Sequence, residues 1–123
     1  MLVQIIALSA AAAQAQPDTS YFNAAEIRTM CRGETEESPQ FRTEAAFRLL
    51  AQVQRSKCRM YLLGLADGIG RGQPDQGRAA CLPPASEREA LADRLVEAVL
   101  NETGDADTPA IVRWVLRTVY GCS

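Results

Sequence analysis

Apolar side chains recur at helical spacing over most of the chain, and nowhere does an alternation of period two run long enough to predict a strand. The class is therefore all-α, a small bundle of about four helices. A first helix is expected from about Thr19 to Cys31, with Asn23 and Glu26 in capping-box spacing and Arg32-Gly33 at its end; the box itself would start it later. Glu34 to Gln40 is a polar, acidic break. A second helix begins between Ser38-Pro39 and Thr43 and runs to about Asp67, with Phe47, Leu50, Val53 and Gln54 giving way to Cys58, Tyr61, Leu62 and Leu65. Its last turns (Met60, Tyr61, Leu62, Leu63, Leu65, Ala66) leave no polar face, which places them at the centre of the domain or at a subunit interface of a homodimer. Gly64 inside this run weakens a helix by roughly 1 kcal/mol relative to alanine, so a close approach by another backbone is expected there.

Gly68 to Gly77 reads as a loop. Its Gly68-Ile69-Gly70-Arg71-Gly72 run lacks the preceding strand that a dinucleotide-binding turn needs. In the third helix, Ser86 and Glu89 have capping-box spacing behind Pro83-Pro84, and Leu91, Leu95 and Val99 with Val96 and Leu100 form one stripe. After the acidic turn 101–107, Thr108 reads as an N-cap with Pro109 in the first helical position. Ile111, Val112, Val115, Leu116 and Val119 then recur at helical spacing, flanked by Arg113 and Arg117, with Trp114 expected as a partly buried anchor. The short turn makes helices three and four antiparallel.

Met1 to Ala15 carries no charge and slides from large apolar residues into small ones. Ala13-Gln14-Ala15 has the form of an export-signal cleavage site, so residues 1–15 are read as a signal peptide and 16–123 as one helical domain. The stretch falls short of the ~20 residues that span a bilayer, and no membrane association is expected after cleavage. A formal charge of −2 argues against a nucleic-acid partner. The absence of histidine removes the commonest general base and metal ligand, and the four cysteines form no Cys-x-x-Cys pair, so no metal and no cofactor are expected. Carboxylates such as Glu87 and Glu89, two apart on a helix, point away from each other and serve better as first-turn charges than as an acid–base pair.

An even cysteine count in an exported chain implies two disulfides. Cys81 lies before the third helix and Cys122 just past the fourth, so the hairpin brings them to one end and pairs Cys81 with Cys122, leaving Cys31 with Cys58. The second bridge requires the chain after Gly33 to fold back along the second helix, since Cys58 lies some 20 Å from that helix's start.

Cys58-x-x-Tyr61-x-x-Gly64-x-x-Asp67, then Cys81-Leu82-Pro83, an amphipathic helix, and Val119-Tyr120-Gly121-Cys122 resemble the Rap/Tai family of immunity proteins. The resemblance runs from about Cys31 to Cys122. It departs from the family pattern at Gly121, where proline usually precedes the last cysteine, and at Ala80, where an aromatic is common. It implies a small periplasmic helical protein that binds and blocks a peptidoglycan amidase toxin delivered by type VI secretion, and it carries over no toxin-contacting residue. The competing classes are a periplasmic acid-stress chaperone, suggested by the acidic runs Glu34-Glu36-Glu37 and Asp105-Asp107, a domain of this type with another binding role, and an enzyme. Blocking a hydrolase cleft needs something convex, and the expected loop after Asp67 offers Asp67, Arg71 and Asp75 as candidate contacts with a protein partner.

Overall fold

The computed structural model describes residues 22–34, 43–72, 81–104 and 106–122. They form four α-helices: α1 (Ala24–Arg32), α2 (Glu44–Arg71), α3 (Arg88–Asn101) and α4 (Thr108–Tyr120), with a 3-10 turn at Ala85–Glu87 leading into α3. There is no strand among the described residues. The stretch read as a signal peptide, residues 1–15, lies outside them.

Most helix ends have a local cause, and three starts differ from the sequence reading. Asn23 caps α1 reciprocally: its Oδ1 accepts from the Glu26 amide at 2.8 Å while its Nδ2 donates to Glu26 Oε1 at 2.7 Å. The box therefore starts the helix at Ala24 rather than near Thr19. Gly33 closes α1 at φ 76°, its amide and that of Glu34 returning to the carbonyls of Met30 and Thr29. Thr43 caps α2 through Oγ1, 3.2 Å from the Ala46 amide. Asp107, not Thr108, caps α4, accepting from the Ala110 amide at 2.8 Å. Thr108 is instead buried in the core as the first helical residue. The Ser86–Glu89 box does not form. Ser86 sits inside the 3-10 turn, neither Pro84 nor Glu87 makes a side-chain cap, and Glu89 is engaged by Arg59 of α2.

The largest departure is at the end of α2, which continues through Gly68 and Gly70 to Arg71 where a loop was expected. Packing outweighs the poor helix propensity of glycine here. The Cys81 amide donates to the Gly70 carbonyl at 2.9 Å. A Cβ on Gly70 would lie 2.5 Å from Leu82 Cγ and 2.7 Å from the Cys81 carbonyl oxygen. Gly70 is thus the hollow against which the chain re-enters the bundle as Cys81-Leu82.

The second half of α2 is central, packing against α1, α3 and α4. Leu62 and Ala66 meet Ile27 and Met30 of α1, Leu91, Leu95 and Val99 of α3, and Ile111, Val112, Val115 and Leu116 of α4 in one core. Two disulfides are part of it. Cys31–Cys58 joins the end of α1 to the middle of α2 with Cα atoms 5.0 Å apart, and Cys81–Cys122 joins the approach to α3 with the exit of α4 at 5.8 Å. The second bridge places the start of α3 beside the end of α4, as an antiparallel hairpin requires. The first is reached because α1 ends against α2 well inside that helix: a Cβ on Gly33 would lie 3.2 Å from the Ala51 carbonyl oxygen and 2.6 Å from Arg55 Nη1, and Gln54 Nε2 donates to the Glu34 carbonyl at 3.4 Å. Gly121 ends α4 at φ 70°, a conformation closed to proline.

Candidate functional site

At 28 residues α2 is about 42 Å long, twice the ~21 Å of the 14-residue α3. None of its residues before Cys58 is buried. Offsets of four and seven residues put Leu49, Val53 and Met60 within about 40° of one another around the axis, roughly opposite Cys58. Leu49 is 61% exposed and Met60 74%. Of the two expectations for the apolar turns around Met60, the centre of the domain or a subunit interface, the first is met on one side only. Leu62 and Ala66 enter the core, Tyr61, Leu63 and Leu65 are half-buried, and Met60 faces outward. Phe22 packs edge-on against Tyr61, ring centroids 5.3 Å apart. Apart from its own helix backbone, no atom of the described residues comes within 4 Å of a notional Cβ on Gly64, so the expected close approach by another backbone is not found among them.

The sequence-predicted contact residues stand differently from expectation. Asp67 and Arg71 occupy the last turns of α2 rather than a loop, and they pair with each other, Arg71 Nε donating to Asp67 Oδ1 at 2.9 Å. An exposed i,i+4 pair of this kind contributes only ~0.3–0.5 kcal/mol. Asp75 lies outside the described residues.

A fixed charge cluster sits beside the row. Arg59 donates from Nη1 to Asp93 Oδ1 and from Nη2 to Glu89 Oε2, both at 2.6 Å, tying α2 to α3. The hydrogen bond to Asp93, then that to Glu89, holds the Arg59 guanidinium above its ordinary value. On the other side, Arg28 Nη1 donates to the Glu102 carbonyl at 3.0 Å and fastens α1 to the turn between α3 and α4. Neither tie was evident in the sequence, because both join residues far apart in the chain.

A second surface lies between α3 and α4. There an open groove of about 550 Å³ is lined by Ala98, Ile111 and Trp114, with Arg94, Glu97 and Arg117 at its rim. Trp114, expected as a partly buried anchor, is 55% exposed. It lies beside the Ile111, Val112, Val115, Leu116 stripe rather than in it, and helical spacing carries that signal.

Among the described residues no three or more cysteine or carboxylate groups gather as a metal ion would need, and no helix is long and apolar enough to cross a membrane. No protein-family model matches the chain, and neither a curated protein nor a solved structure matches it.

Proposed function

We propose that this is an exported, periplasmic binding protein of the immunity type, which neutralises a type VI secreted peptidoglycan amidase by filling its active-site cleft. The observation that carries the reading is the outward row Leu49, Val53 and Met60 on α2, a convex apolar edge on a helix anchored in the core at its other end. An inhibitor of a hydrolase has to enter a concave site, and a helix edge does so with its backbone already satisfied. The Rap/Tai-like spacing Cys58, Tyr61, Gly64, Asp67 lies on this same helix. Two disulfides suit an oxidising compartment, and the signal-like residues 1–15 would deliver the chain there. Inhibition on this reading is steric and needs no cofactor.

The test is inhibition of peptidoglycan hydrolysis by amidases encoded beside this gene or by competing bacteria, using protein with both disulfides intact. Inhibition is expected from the native protein and should be lost in Leu49→Glu/Met60→Glu, with helicity and thermal unfolding unchanged. Undiminished inhibition by that variant would remove the row from the interface. Failure of the native protein to bind any such amidase would remove the immunity reading itself.

A further inference from the structure

We propose that the groove between α3 and α4 is a second binding site, which takes a short segment of a partner protein in which an apolar residue lies between an acidic and a basic one. Its volume of about 550 Å³ falls within the ~300–1,000 Å³ of clefts that enclose a small ligand, room for a few residues rather than for a whole helix. Ala98 and Ile111 leave an apolar floor, and the half-exposed indole of Trp114 stands at its side. Tryptophan is among the residues most enriched at binding anchors, and here it flanks an apolar floor that a side chain could fill.

The rim specifies charge. Arg94 on α3 and Arg117 on α4 both line the groove toward the end remote from the α3–α4 turn, and neither makes a salt bridge or side-chain hydrogen bond among the described residues. Glu97 likewise lines the groove without a partner among the described residues, and Glu102, whose Oε1 accepts from the Gly104 amide at 2.7 Å, lines it at the turn. At 1.5 Å per residue, Arg94 stands about 12 Å from Glu102 along the hairpin, with Trp114 between those levels. A carboxylate is therefore favoured at the Arg94 and Arg117 end, an apolar side chain against Trp114, and a cation near Glu97 and Glu102. A polyanion is disfavoured by the two glutamates, and a uniformly basic segment by the two arginines. This site does not depend on the apolar row of α2, which lies on another helix.

Trp114 is the chain's single tryptophan, so its fluorescence and its indole N–H signal report on the groove alone. The probes are the capped tripeptides acetyl-Asp-Leu-Lys-amide, acetyl-Lys-Leu-Lys-amide and acetyl-Asp-Leu-Asp-amide, titrated to about 10 mM so that millimolar affinities become visible. The mixed peptide should shift the Trp114, Ala98 and Ile111 signals and bind about fivefold more tightly than either uniform one, the scale set by a partly exposed ion pair. Arg94→Glu/Arg117→Glu, at two exposed positions, should leave folding intact and transfer the preference to the Lys-Leu-Lys peptide. Three results would overturn the proposal: groove signals that do not move with any peptide, equal affinity for all three, or an unchanged preference in the double variant. Concentration-dependent burial of Trp114 in the protein alone would overturn it too, by showing a second copy in the groove.

Discussion

Alanine at positions 64 and 70 should move stability in opposite directions, although both glycines lie in α2. Within a helix, alanine is favoured over glycine by about 1 kcal/mol, because glycine has more backbone freedom to lose on folding. At Gly64 a new Cβ meets no atom of the described residues outside its own helix backbone within 4 Å, so this gain should appear nearly in full. For a domain of this size it raises the midpoint of thermal unfolding by about 4 °C or more. At Gly70 the same methyl group would lie 2.5 Å from Leu82 Cγ and 2.7 Å from the Cys81 carbonyl oxygen. Leu82 can swing aside, but Cys81 cannot retreat cheaply. It is bonded to Cys122, and its amide is held by the Gly70 carbonyl at 2.9 Å. Overpacking of this kind costs ~1–3 kcal/mol, more than the propensity gain at a position one residue from the helix end. Gly64→Ala should therefore stabilise and Gly70→Ala destabilise by up to ~2 kcal/mol, both read by urea and thermal unfolding monitored by circular dichroism. If Gly70→Ala is as stabilising as Gly64→Ala, Cys81-Leu82 does not dock on α2 and the extension of that helix to Arg71 is wrong. A loss at Gly64→Ala would mean that another surface already covers that face.

Three further outcomes follow from the same structure. Non-reducing peptide mapping should recover Cys31 joined to Cys58 and Cys81 joined to Cys122; by loop-closure entropy the bridges contribute about 3.5 and 3.9 kcal/mol, so Cys81→Ala/Cys122→Ala should lower the unfolding midpoint by more than ten degrees. Asp107→Ala should cost about 1 kcal/mol as a lost N-cap, and Thr108→Val should cost less, because the buried Thr108 hydroxyl has no hydrogen-bond partner among the described residues. Asp67→Ala/Arg71→Ala should change stability by no more than ~0.5 kcal/mol, since it removes only an exposed pair; a larger loss would show that these side chains hold the end of α2.

The helical class, the four helices and the cysteine pairing are legible in the sequence because each rests on local or topological regularities. The apolar period identifies the helices, and a short hairpin turn brings Cys81 to Cys122. Boundaries decided by tertiary contacts are not legible. Gly68 and Gly70 read as a helix stop until Leu82 is known to pack on Gly70. Glu89 reads as half of a capping box until Arg59 is placed across from it, and Asp107 and Thr108 are equally good caps until burial claims Thr108. The candidate surfaces were least legible of all. Periodicity marks Leu49, Val53 and Met60 as apolar and helical, but it cannot say which apolar side of a helix will find a neighbour.

The first half of α2, which buries no residue fully, is physically sound because it draws little on the core. An isolated helix of its length would be marginal in water, since nucleation fixes several residues for a single hydrogen bond. Here the buried turns from Cys58 onward supply the nucleus, and residues 44–57 only propagate it. Their composition suits propagation, since Ala45, Ala46, Leu49, Leu50, Ala51, Gln52 and Gln54 are strong helix formers, Thr43 caps the start, and Glu44 pairs with Arg48. Glutamine or lysine at 49, 53 and 60 would propagate the helix about as well as the native side chains do, with greater solubility. Folding therefore accounts for the helix but not for the apolarity of its outer face. That apolarity has a use only when something covers it, and the apolar row is accordingly the part of this surface whose replacement should leave the fold untouched while abolishing binding.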